Sequence, residues 1–166
     1  MISPRFVDGV ADLADHYEGF LLDQWGVIHD GRQPLPEAVT ALTELKRRNK
    51  RLVVLSNSGR RAALNRRRLA EMGLDVAMFD AVVTSGEAAW QVLKQRSLPG
   101  FGELGRRCRL FTIGGDLGVV EDLGLELVEA PEQADFLFLT GTEIPPLTLD
   151  DYHAVLVRAV GSRAPY

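Results

Sequence analysis

Short apolar runs alternate along the chain with segments whose apolar residues recur every three or four positions, the pattern of an α/β fold built on a parallel sheet. The first run, Phe20-Leu21-Leu22, shows no alternation, as expected of a strand covered on both faces, and it stops at Asp23. After a loop, Pro36 and Glu37 suit a first helical turn, where proline forfeits no hydrogen bond and a carboxylate meets the positive end of the helix dipole. Ala38, Leu42 and Leu45 then mark one helix face. Leu52-Val53-Val54-Leu55 predicts a second strand, ending at Ser56. A helix is expected from about Arg60 to Met72, stopped by Gly73 as a left-handed cap.

Ala81-Val82-Val83 predicts a third strand, ending at Thr84. Thr84 and Glu87 have the spacing of a capping box for a helix carrying Ala88, Val92 and Leu93. Between Leu98 and Gly105 the chain turns rich in glycine and proline, which reads as a linker or a turn-rich entry to a second unit. The expected division is 1–98 and 99–166. Two further strands, Leu110-Phe111-Thr112-Ile113 and Phe136-Leu137-Phe138-Leu139, precede a helix striped with Tyr152, Val155, Leu156 and Ala159.

Composition narrows the class. With 166 residues, 46% hydrophobic and 25% charged, the chain is long enough to bury one real core and is neither disordered nor collagen-like. A net charge of −4 provides no electrostatic footprint for nucleic acid or for an anionic membrane. The single cysteine, Cys108, cannot form an intramolecular disulfide, no apolar run approaches the length of a membrane span, and Met1-Ile2-Ser3-Pro4-Arg5 opens no signal-peptide stretch. The expectation is a cytoplasmic protein with no membrane or nucleic-acid partner.

Candidate chemistry sits where the strands end. Asp23, Ser56 and Thr84 each follow directly on a strand, and open α/β sheets bind ligands beyond the carboxyl ends of their strands. Ser56 and Thr84 equally suit helix caps. Asp23 is followed by Gln24-Trp25-Gly26-Val27-Ile28-His29-Asp30-Gly31, a loop too apolar for a simple surface turn. A carboxylate there can act as a nucleophile toward phosphorus or as a hard-oxygen ligand for magnesium.

Gly19-Phe20-Leu21-Leu22-Asp23-Gln24-Trp25-Gly26-Val27 resembles the first motif of the haloacid dehalogenase superfamily, and Leu52-Val53-Val54-Leu55-Ser56-Asn57-Ser58-Gly59-Arg60 resembles the second. The spacing between them and Val82-Val83-Thr84-Ser85-Gly86-Glu87 resemble class IIA of that superfamily. The resemblance covers nearly the whole chain and implies a Rossmann-like three-layer core with a parallel sheet plus part of an α/β cap. It implies a phosphohydrolase acting on a small phosphorylated metabolite, with Mg2+ as cofactor. Asp23 matches the nucleophile, which forms an aspartyl-phosphate and ligates the metal, and the main-chain carbonyl of Trp25 matches a second metal ligand. Ser56 and the Asn57 amide match the phosphate-holding motif, and Arg60, just beyond it, is a further candidate for the substrate anion.

Two departures separate the chain from the family pattern. The family's general acid stands two residues after the nucleophile, where this chain has Trp25, which cannot transfer a proton; loss of such an acid typically costs ~10²–10⁴ in rate. His29 and Asp30 are nearby candidates for the proton, although Asp30-Gly31 is also an ordinary turn pair. Alternatively the chain binds a phosphorylated ligand without turnover. The second departure is that the third and fourth motifs do not follow in the class IIA manner. Arg109 to Tyr166 resembles the first half of the cap, which implies a piece of a longer enzyme whose unpaired cap edge and exposed core face favour either association, as in a homo-oligomer, or low stability, with the oligomeric state left open. The rival reading is a capless phosphatase with Asp116 and Glu121 as metal acids and Lys94 as the third-motif lysine.

The remaining features read more plainly. Arg60, Arg61, Arg66, Arg67 and Arg68 fall on several helix faces with no aromatic platform, as on a solvated surface. Trp90 reads as core or cap-interface packing and Cys108 as a small structural residue. His16 and His153 have no metal-ligand spacing.

Overall fold

The computed structural model describes residues 6–142 and 147–161; the opening Met1–Arg5 lies outside them. The chain forms two compact units, Met1–Ser56 with Ala62–Val83, and Asn57–Arg61 with Thr84–Tyr166. In order, the elements are α1 (Ala11–Ala14), β1 (Gly19–Leu22), α2 (Pro36–Arg47), β2 (Arg51–Ser56), α3 (Ala62–Glu71), β3 (Ala81–Thr84), α4 (Ser85–Gln95), β4 (Arg107–Phe111), β5 (Glu126–Leu127), β6 (Phe136–Leu139) and α5 (Leu149–Gly161). The fold is α/β with parallel sheets.

In the first unit the sheet order is β1-β2-β3, and β1 pairs in parallel with β2 in the register Gly19↔Arg51 to Leu22↔Val54. Phe20, Leu22, Leu52, Val54 and Val82 share one face and pack with Ala14, Leu42, Leu45, Leu69 and Phe79. Coverage of β1 differs from the expectation: its burial alternates, and Leu21 is 73% exposed. Phe20 and Leu22, which point to the face opposite Leu21, pack against the core cluster that holds the buried helical residues Leu42, Leu45 and Leu69. The cluster is tied at its edge by Asp80, whose main-chain N–H donates to the Leu52 carbonyl and whose carboxylate accepts the Leu52 N–H, each at 2.8 Å.

The helix starts and stops follow the local chemistry. Pro36 opens α2, and Leu42 and Leu45 are its buried residues. Gly73, at φ 94°, ends the turn after α3 as the expected left-handed cap, with its N–H on the Ala70 carbonyl. The helix itself begins at Ala62, two residues later than expected, so Arg60 and Arg61 lie in the loop before it.

In the second unit a separate parallel sheet has the order β5-β4-β6. The expected strand from Leu110 to Ile113 is shifted: β4 spans Arg107–Phe111, and Ile113–Gly115 forms a 3₁₀ turn. The physical reason is a period of two. Cys108 and Leu110 enter the core, while Arg107 and Arg109, on the other face, pair with Asp135 and Glu129. Charged residues between the apolar ones masked the strand. Thr84 caps α4 as predicted, accepting the Glu87 N–H at 3.1 Å. No described helix is long and apolar enough to cross a membrane.

Candidate active site

The register of the first sheet brings two of the expected residues together. Leu22 lies opposite Val54, so Asp23 leaves β1 one residue beyond that pair and Ser56 ends β2 two residues beyond it. A carboxylate and a hydroxyl therefore stand on the carboxyl rim of adjacent parallel strands. Asp23 is exposed and Ser56 is buried. Asp23 Oδ1 accepts the N–H of Gln24 at 2.7 Å, which fixes the carboxylate against the start of its own loop.

That loop is built from within. The Gln24 carbonyl accepts the N–H groups of Val27, Ile28 and His29, and the Gly26 N–H donates to the His29 carbonyl at 2.8 Å. Gln24, Ile28 and His29 are buried, whereas Trp25 is 69% exposed. None of these closing bonds uses the Trp25 carbonyl. The Trp25 ring meets the His29 ring edge to face, with centroids 5.9 Å apart. His29 Nδ1 accepts the Gly31 N–H at 3.0 Å, which leaves the proton of the neutral ring on Nε2. Burial pushes the His29 imidazole below its ordinary pKa, against the opposing pull of the Asp30 and Asp23 carboxylates. Asp30 closes a turn: its Oδ1 accepts the N–H groups of Gln33 and Arg32, which hold its carboxyl below the usual range.

The other expected residues belong to the second unit. Asn57 is exposed. Arg60 Nε lies 3.5 Å from Asp116 Oδ2, and the Arg60 carbonyl accepts the Thr84 hydroxyl at 2.6 Å. Thr84 is thus a cap and a loop anchor. The reading of the arginines as a solvated surface needs correction for three of them, Arg60 with its ion pair to Asp116 included. Arg61 pairs with Glu87 at 2.8 Å and lies 3.7 Å from the Trp90 ring centroid, and Arg66 donates to the carbonyls of Val76 and Phe79. Trp90 itself donates to the Glu121 carbonyl at 2.7 Å. Nothing in the one-dimensional pattern distinguished Arg61 from its exposed neighbours Arg67 and Arg68.

Topology argues against the capless reading. It needs Asp116 to follow a strand of the sheet that carries Asp23, but β4 belongs to the separate β5-β4-β6 sheet. Asp116 Oδ1 accepts the Gly118 N–H at 3.0 Å, and Lys94 sits on α4 with its ammonium 4.4 Å from the Trp90 ring centroid. Among the described residues, no group of three or more His, Cys, Asp or Glu side chains could hold a metal ion. For Mg2+, which takes six oxygens in near-octahedral geometry, the donor chemistry of the Asp23 carboxylate and the Trp25 carbonyl fits as a partial set.

A parallel sheet with a carboxylate and a hydroxyl on its carboxyl rim defines the class of α/β proteins that bind ligands at strand ends. The comparisons with known proteins narrow that class. The profile of the haloacid dehalogenase-like hydrolases matches residues 20–126, and the chain belongs to this family. The sugar-phosphatase AraL of Bacillus subtilis (strain 168) is 28% identical over 147 residues, which cover 86% of this chain and 50% of that protein. A haloacid dehalogenase-like hydrolase from Brucella suis 1330 superposes with a TM-score of 0.82 at 25% identity, covering 97% of this chain and 59% of the other. The 4-nitrophenylphosphatase of Thermotoga maritima gives 0.55 at 35% identity, covering 87% and 52%. The chain spans about half the length of the relatives it matches.

Proposed function

We propose that this chain carries the nucleophile-bearing half of a Mg2+-dependent phosphohydrolase for a small phosphorylated metabolite. In this reading residues 1–98 are the N-terminal part of the core and 99–166 part of a class IIA cap. The observation that carries it is the exposed Asp23 carboxylate at the end of β1, on the same rim as Ser56 at the end of β2. Family membership and the similarity to named phosphatases support it.

The mechanism follows from what these groups can do. An Asp23 carboxylate oxygen attacks phosphorus, forming an aspartyl-phosphate and breaking the bond to the leaving-group oxygen; water then attacks the phosphorus, regenerating the carboxylate and releasing phosphate. In this reading the Ser56 hydroxyl, on the same rim as Asp23, holds a phosphoryl oxygen. The Asp23 carboxylate and the Trp25 carbonyl would hold Mg2+, which supplies neutralisation of phosphoryl charge when bound. The Trp25 indole N–H is far too weak an acid to protonate the leaving group, so esters of acidic alcohols are the favoured substrates.

The test is Mg2+-dependent hydrolysis of 4-nitrophenyl phosphate by the 166-residue chain and by its Asp23→Asn variant. Activity that disappears in the variant supports the proposal; equal activity in both overturns it. Trp25 in the acid's place favours a second reading, binding of a phosphorylated ligand without turnover, which saturable phosphate-ester binding in the absence of any hydrolysis would select.

A further inference from the structure

We propose that the Trp25 indole is the docking platform for the substrate's leaving group, selecting phosphomonoesters whose alcohol carries a ring with an apolar face. The inference rests on the phosphohydrolase reading of Asp23 and adds a substrate class to it. Three observations carry it: the position of the ring, its rigidity and its exposure.

Position comes from the chain. Trp25 is two residues beyond Asp23, so their Cα atoms are at most about 7 Å apart, and a phosphoryl group on Asp23 would have its leaving group within reach of a side chain of this length. Rigidity comes from the loop. The edge of the six-membered ring of Trp25 fills the space above Gly31 that a Cβ would need. His29 supports the indole edge to face at 5.9 Å, and the loop beneath is closed by three N–H groups on the Gln24 carbonyl and seated on the buried Ile28. Exposure is the third observation, since 69% of the residue's surface stays open although its neighbours at 24, 28 and 29 are buried.

A loop that buries three neighbouring side chains and reserves a glycine for close approach of an indole leaves most of that indole in water. A flat ring held in place loses little conformational freedom when a second ring stacks on it, so the contact retains most of its gain. An aromatic leaving group offers a π face, and the C–H face of a saturated ring such as a sugar offers an apolar one. Both use the same platform.

The test measures binding without turnover. Phenylphosphonate, cyclohexylphosphonate and methylphosphonate are titrated into the wild-type chain, Trp25→Phe and Trp25→Ala in the presence of Mg2+. The phosphorus resonance of each phosphonate reports its binding in all three proteins, and in wild type the Trp25 indole N–H, assigned as the signal missing from Trp25→Phe among the chain's two tryptophans, reports contact with the ring. In wild type and Trp25→Phe, at least one ring-bearing phosphonate should bind about tenfold tighter than methylphosphonate, and this ratio should fall to near one in Trp25→Ala. Phenyl preference identifies an aromatic leaving group and cyclohexyl preference a saturated ring. A ratio near one in wild type, a ratio retained in Trp25→Ala, or no phosphonate binding in wild type overturns the platform. Loss of hydrolysis in Asp23→Asn without any ring preference sinks the platform and leaves the phosphohydrolase reading standing. Ring preference in a wild type that hydrolyses no ester does the reverse.

Discussion

The edge of the Trp25 indole lies where a side chain on residue 31 would have to stand, and residue 31 is glycine at φ 93°. Gly31→Ala meets two penalties, a left-handed backbone that L side chains avoid and a clash with the ring. It should destabilise the chain by about 1–3 kcal/mol and displace the indole. Urea denaturation gives the first effect, and a shift in near-ultraviolet circular dichroism gives the second. Unchanged spectra would mean that the ring is not seated on this glycine.

Asp23 is exposed and contributes one local hydrogen bond to folding. Asp23→Asn should therefore leave the urea midpoint within about 0.5 kcal/mol of wild type while lowering turnover of 4-nitrophenyl phosphate by at least ~10³. A large loss of stability would mean that the activity loss reports unfolding rather than chemistry.

Thr84 is 1% exposed, donates its hydroxyl to the Arg60 carbonyl and accepts the Glu87 N–H. Thr84→Val keeps the shape and removes both of these bonds. The expected cost is about 2 kcal/mol. Thr84→Ser should recover most of it, and chemical denaturation of the two variants side by side decides.

Asp80 supplies a pH test. Its carboxyl is held below the ordinary carboxylate value, first by the Leu52 N–H and then by Lys46. A depressed folded-state pKa contributes stability that is present above the unfolded value of about 3.8 and is lost as the pH falls through the folded one. Asp80→Asn should therefore be less stable than wild type at pH 7, and the gap should close as the pH falls below about 3.8. Thermal melts between pH 7 and pH 3 measure it; a gap that widens on acidification contradicts the assignment.

Cys108 lies at 0% exposure on β4, and burial pushes its thiol up to about 12. Native protein at pH 8 should not react with an aromatic disulfide reagent over the time in which denatured protein reacts fully. Rapid labelling of folded chain would show that β4 opens easily.

Several features were legible without coordinates because their causes are local. Pro36 opening α2, Gly73 closing the turn after α3, and Thr84 capping α4 depend on residues within one helical turn. Asp23 and Ser56 at strand ends were legible because each directly follows an apolar run. The bounds of β4 were not legible, because Arg107 and Arg109, on the face opposite Cys108 and Leu110, break the apolar run, and only the partners Asp135 and Glu129, which lie 28 and 20 residues further along the chain, show why charge is tolerated there.

The candidate site divides in the same way. By itself the sequence determined the α/β class, the apolar loop after Asp23 and the resemblance to the haloacid dehalogenase superfamily, since these rest on residue type and short spacing. Tertiary structure decided the rest. Register placed Asp23 beside Ser56; close packing held the Trp25 ring over Gly31 and left its surface open; and sheet membership separated Asp116 from the strand bearing Asp23. Each of these depends on contacts whose partners the chain order does not reveal, because which surfaces meet is set by packing.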